Sequence, residues 1–204
     1  MAQAIITNRN KVPRLETEEM AQSGAAILAT KLPLIGFLAV QIFIGYEWFI
    51  SGLTKIVRGG FPAGLADELT AKSVGAPGWY ASFLNNVVIP HGRVFGYLSE
   101  IGELLVGVVL IGGALVWLLA WNRIPSEGRA ATLAAIALSA LVGVFMNVNF
   151  HLANGSSHPW LLPGSGFDEG VDLDSLMPLF ELAIAGVAGG LLWLSSTSPR
   201  SADS

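Results

Sequence analysis

Four stretches of this chain, at about 32–50, 94–121, 129–150 and 175–195, are each near or above the ~20 mostly apolar residues that a helix needs to cross the hydrocarbon core of a bilayer. No other feature narrows the fold as far. Helices apolar on every face could be buried in water only inside a large protein, and this chain has 204 residues. Its composition agrees, with 52% hydrophobic and 13% charged residues and a mean hydropathy of +0.59, against the ~25% charged of a soluble domain. The expectation is an all-α membrane protein, with 1–204 forming one integral membrane domain built as a four-transmembrane-helix bundle. Its first partner is the lipid bilayer.

Several chemistries drop out. There is no cysteine, which removes disulfides, thiol catalysis, Cys-ligated iron–sulfur clusters and covalently attached haem. The formal charge of −4 leaves no basic patch for nucleic acid. No Gly-rich nucleotide motif follows a strand, so no flavin or nucleotide site is expected. A haem would need axial ligands, and the three histidines, His91, His151 and His158, all fall near the rim of the spans.

Residues 1–20 read as a polar, solvated arm without the basic start, short apolar core and cleavage site of a signal peptide. Arg9, Lys11, Arg14 and Lys31 precede the first span, and Arg123 and Arg129 sit in the short second connection. Arg200 follows the last span, and the third connection, 151–174, has no lysine or arginine. The positive-inside rule therefore places both termini in the cytoplasm. The first connection, 51–93, breaks the pattern with Lys55, Arg58, Lys72 and Arg93, but long structured segments obey the rule less strictly. Its Phe61-Pro62-Ala63-Gly64 reads as a helix entry into 63–72, and Pro77-Gly78-Trp79-Tyr80 as a second entry into 81–88. Together these predict a short helical extracytoplasmic cap between spans 1 and 2, with Trp79 and Tyr80 in the headgroup layer. The third connection reads as an acidic loop carrying Asp168, Glu169, Asp172 and Asp174.

All four spans put their acidic or amide groups in the outer half, and their cytoplasmic halves are almost purely apolar. In the second span Gly96, Glu100, Glu103 and Gly107 share a helical stripe, so two carboxylates lie beside two glycines that admit a neighbouring helix. At ~1.5 Å per residue Glu100 lies roughly 10 Å, and Glu103 roughly 15 Å, below Arg93. Glu47 lies near the outer end of the first span, with Ser51 and Lys55 beyond it, Asn147 and His151 form an i, i+4 pair on the third, and Glu181 sits about two turns into the fourth. Gln41, Asn147 and Asn149 taken singly read as interhelical hydrogen-bond glue. Four glutamates held together as anions would repel, so the cluster needs protons, a cation or pairing with Lys55, Arg58, Arg93 or a histidine.

A lipid-soluble quinone, which takes up protons with electrons and enters from within the membrane, suits apolar walls with proton-exchanging groups near one leaflet. Glu100, Glu103, Glu47 and Glu181 are the candidate catalytic carboxylates, and His151, Asn147, Lys55 and Arg93 the candidate binding residues. A carboxylate-bridged metal pair competes, but the paired Glu-x-x-His motif is replaced by Glu100-x-x-Glu103 and Asn147-x-x-x-His151, and no metal is assigned.

Gly45-Tyr46-Glu47-Trp48-Phe49-Ile50-Ser51-Gly52-Leu53-Thr54-Lys55-Ile56 resembles the first span of the DoxX/DoxD family, which closes on a similar small-Gly-x-x-Lys turn. Val88-Ile89-Pro90-His91, Phe95-Gly96 and Gly102-Glu103-Leu104-Leu105-Val106-Gly107 resemble the family's next stretch. The match covers 32–113 by motif and the rest by hydropathy; the acidic segment 149–174 departs from it. The resemblance implies a four-helix protein of the inner (plasma) membrane, similar to the DoxD subunit of thiosulfate:quinone oxidoreductase, passing electrons from thiosulfate or another small external donor to quinone. The alternative it leaves is a non-catalytic accessory subunit of a larger membrane electron-transfer complex.

Overall fold

The computed structural model describes the backbone of residues 14–154 and 173–197, and the side chains of 31–154 and 176–197. The acidic residues Asp168, Glu169 and Asp172, together with His158, Arg9, Lys11 and Arg200, lie outside the described residues, as does the side chain of Asp174. Among the described residues every element is helical: α1 Arg14–Arg58, α2 Phe61–Lys72, α3 Gly78–Phe83, α4 Gly92–Leu119, α5 Ser126–Ala153 and α6 Leu173–Thr197. The four candidate spans, Lys31–Arg58, Gly78–Leu119, Ser126–Ala153 and Leu176–Thr197, are long and apolar enough to cross a membrane.

The chain divides into two compact units, Met1–Ala39 and Val40–Ser204. What is described of the first is the opening part of α1, with Pro33 inside the helix. Residues 14–20, the last third of the expected polar arm, are already part of α1.

α1 runs on past Ile50 to Arg58, which puts Ser51 and Lys55 on the same continuous helix as Glu47. It stops because Gly59 and Gly60 take φ of +69° and +82°, a left-handed conformation that glycine adopts without a Cβ penalty. Pro62 then enters the first turn of α2, where its missing N–H costs nothing. The reversal lays α2 against α4. A Cβ on Gly96 would collide with the Pro62 backbone, and one on Gly92 would come within 2.8 Å of Ala66.

Between α2 and α4 come a 3₁₀ turn at Ser73–Gly75, α3, a π-helical stretch Leu84–Val88 and a second 3₁₀ turn Ile89–His91 that feeds α4. Leu65, Leu69, Tyr80, Leu84 and Val88 from this cap close over Ala153 at the end of α5. Of the two residues expected in the headgroup layer, Trp79 is exposed. Tyr80 is not: it is 5% exposed, and its hydroxyl donates to Asn149 Oδ1 at 2.9 Å, because its neighbours in the cap core turn it inward.

The spans pack through small residues, as membrane helices must when lipid is as apolar as their side chains. Gly107 abuts the Phe49 backbone, and Gly52 faces Leu104 N and Glu100 O. Gly113 sits against Ile136, and Gly102 against Met146. Leu110, Ile136, Ala140 and Ile184 are sealed inside, each at 1% exposure or less. Gln41 donates to Leu110 O at 2.8 Å, a hydrogen bond of the interhelical kind expected for it.

Candidate functional site

The close approach of α1 to α4 at Gly52 brings Ser51 and Lys55, one turn apart on α1, onto Glu103. Glu103 is fully buried. Ser51 Oγ donates to its Oε2 at 2.9 Å, Lys55 Nζ pairs with its Oε1, and Lys55 also reaches Ser51 Oγ at 3.3 Å. The ammonium is held in addition over the rings of Phe61, at 5.0 Å, and Phe150, at 5.6 Å. Cation–π contacts of this kind favour a partly desolvated lysine, and the Lys55 side chain keeps 25% exposure.

A second carboxylate, Glu181 on α6, is also fully buried. Trp48 Nε1 donates to its Oε1, and Asn147 Nδ2 lies 3.2 and 3.1 Å from its two oxygens. Both of these donors are neutral. Gly143 makes the space, since a Cβ there would fall 2.5 Å from Glu181 Oε1. α1 therefore serves both centres from one face, Trp48 toward Glu181 and, one and two turns on, Ser51 and Lys55 toward Glu103.

Of the expected cluster, Glu103, Glu181, Lys55 and Asn147 are thus gathered at α1. His151 is buried one turn beyond Asn147. Glu100, 6% exposed, lies one turn from Glu103 toward the α1–α2 turn and makes no hydrogen bond or ion pair among the described residues. Two members do not join. Glu47 points to the exposed face of α1, because its neighbour Trp48 takes the inward position and adjacent helical residues diverge by ~100°. Arg93 is exposed and lines neither of the two cavities beside the cap. Among the described residues no group of three or more His, Asp or Glu could hold a metal ion.

Two cavities meet at Phe150, the ring beneath the Lys55 ammonium, and Lys55 itself lines the smaller of them. A vestibule of about 250 Å³ has Lys55 and Phe61 in its wall along with Glu68 and Lys72, which pair with each other at 2.7 Å. Beside it an apolar groove of about 330 Å³ runs between the cap and α4 and α5, walled by Tyr80, Phe83, Phe95 and Phe145. Leu65, Leu69, Phe150 and Ala153 line both, so they form the partition. The groove's rim includes Leu98 and Phe145, 62% and 68% exposed on the outside of the bundle. Its polar atoms come from Tyr80, Asn149 and Ser99, and Ser99 has no hydrogen-bond partner among the described residues. Gly102 on α4 packs on Met146 on α5, and one turn further toward the cap Ser99 and Asn149 come to one level.

No protein-family model matches this chain, and no curated protein or solved structure does either.

Sequence reasoning missed Trp48, Ser51 and Phe150 as site residues. The i, i+4 spacing of Ser51 and Lys55 carried a usable signal, being a donor pair on one stripe. Phe150 carried none, since nothing local distinguishes it from the other phenylalanines of the spans.

Proposed function

We propose that this chain is a DoxX/DoxD-like redox protein of the inner (plasma) membrane that passes electrons from thiosulfate, or a comparable small donor, to a lipid-soluble quinone. The observation that carries the reading is the partition: Lys55, paired with the buried Glu103, lines a polar vestibule on one side of Phe150, with an aromatic groove open to the bundle exterior on the other. Both termini are assigned to the cytoplasm and the cap to the opposite surface, on the lysine and arginine distribution.

The groove suits a substituted quinone ring. Its volume of about 330 Å³ and aromatic walls accept a planar ring, and Ser99 Oγ and the free N–H of Asn149 are donors for a quinone oxygen. Two thiosulfates joining through a new S–S bond release two electrons, and a quinone takes up two electrons and two protons. The candidate proton carriers are Glu103, which follows the groove-lining Gly102 on α4, its partner Lys55 in the vestibule wall, and Glu100, which follows the groove-lining Ser99. Ser51 and the rings of Phe61 and Phe150 keep Lys55 directed at Glu103. Glu181, held by neutral donors, completes the buried set.

The test is thiosulfate-dependent reduction of a short-chain quinone by the purified protein. Glu103→Gln, with membrane insertion intact, is expected to lower turnover about 10²–10⁴-fold, the range for loss of a general acid–base group. Unchanged turnover in that variant would remove the carboxylate from the mechanism. A second reading, a non-catalytic subunit of a larger electron-transfer complex, is supported by the cap, where Val74 and Trp79 are 90% and 68% exposed. Partner chains retained through purification in mild detergent, with no turnover in the wild type, would favour it.

A further inference from the structure

Glu47 is left over from the site, and its depth makes that costly. The α1–α4 contacts fix its level: Gly45 meets Leu110 and Ile111, and Phe49 meets Gly107. Glu47 therefore lies level with residues 108–109, near the middle of α4 and about 8 Å deeper than Glu103, and not near the outer end of its span as the sequence suggested, because α1 continues two turns beyond Ile50. It is exposed there and makes no hydrogen bond or ion pair among the described residues. An ionisable group facing lipid at mid-span is unfavourable, and such groups turn toward protein or water.

The surface around it has helix-packing periodicity. Phe43, Glu47, Ile50, Thr54 and Val57 recur at spacings of four and three, the seam of a left-handed helix pair. Phe43 is 73%, Ile50 38% and Val57 74% exposed. Beside the unpaired acceptor stands a donor, Tyr46, 53% exposed. A face that carries donor and acceptor at adjacent positions is complementary to itself. Copies inserted in the same direction are related by an axis along the membrane normal, which sets α1 parallel to its mate and brings equal levels together. An isologous contact of this kind places residue i against j and j against i.

We propose that this stripe of α1 is the interface of a two-fold dimer of the chain, with the Tyr46 hydroxyl of each protomer donating to Glu47 of the other. A different membrane protein on this face would have to bring its own donor to this depth. Lipid offers none.

The absence of cysteine allows a clean test in native membranes. Phe43→Cys and Ile50→Cys are expected to give covalent dimers on oxidation, and Leu138→Cys, 65% exposed on α5, is expected to give none. Tyr46→Phe removes only the hydroxyl, and Glu47→Leu removes the need for a donor. Each should weaken the dimer of the otherwise unaltered protein about three- to thirty-fold in dissociation constant, measured in lipid nanodiscs, the effect of losing an interhelical polar contact. Glu47→Gln, which still accepts a hydrogen bond, should retain it. Any of three results would overturn the proposal: no dimer at either α1 position, equal cross-linking at Leu138→Cys, or affinity unchanged by both Tyr46→Phe and Glu47→Leu. A monomer whose Glu47 faces lipid, or one joined at this face to a different chain, belongs to the first of these.

Discussion

Lys55 and Glu103 are unequal partners. The carboxylate is fully buried, while the lysine side chain keeps 25% of its surface in reach of the vestibule. Removing the lysine strands a buried charge, whereas removing the acid leaves an ammonium that water and two aromatic rings can still attend. Lys55→Met is therefore expected to destabilise the protein more than Glu103→Gln. Combining Lys55→Met with Glu103→Gln should recover part of the loss, with a coupling of about 0.5–3 kcal/mol in the range for contacting residues. Unfolding in mixed micelles titrated with SDS measures it, and additive losses would show that the pair contributes no coupling. The pairing itself was only half legible: Lys55 stood among three cations named for the acids, and spacing along the chain does not say which of them the packing selects.

Among the elements, the glycines separate into those that carry a contact and those that do not. A Cβ on Gly52 would press into the α4 backbone at Leu104 and Glu100, while one on Gly112 would meet nothing within 4 Å. Gly52→Ala is expected to cost about 1–3 kcal/mol by overpacking. Gly112→Ala should instead be neutral or stabilise by up to about 1 kcal/mol through helix propensity. Comparing the two variants by the same SDS titration checks both signs. The helices were the most readable feature of the sequence, because runs this long and apolar have few alternatives, and the stripe from Gly96 to Gly107 announced its own close packing. Their ends were less readable: α1 outlasts the expected first span by two turns, since Ser51 to Arg58 lowers the hydropathy without breaking the helix, and only Gly59 and Gly60 end it. Rotation was the least readable property. In a span apolar on most sides, nothing local decides whether Glu47 or Trp48 faces the bundle, and Tyr80 could be placed inside only once its cap neighbours and Asn149 were known.

Across the whole molecule, the two glycines joining α1 to α2 leave no slack. α2 supplies one wall of the vestibule through Phe61, Leu65, Glu68 and Lys72, and α1 supplies Lys55. Both therefore move with the helix whose height is set by matching its apolar length to the surrounding lipid. A mismatch costs fractions of a kcal/mol per ångström and is relieved by tilting the helix or deforming the bilayer. α5 brings Phe150 to the opposite wall from a separate span, so tilting α1 shears the partition between vestibule and groove. In liposomes of graded acyl-chain length, the proposed quinone reduction is expected to peak at one thickness and fall on either side, and a Gly-Ser-Gly insertion after Gly60 should flatten that profile. The membrane itself, through nothing more specific than its thickness, would then act as a tuning element for the chemistry proposed at Lys55.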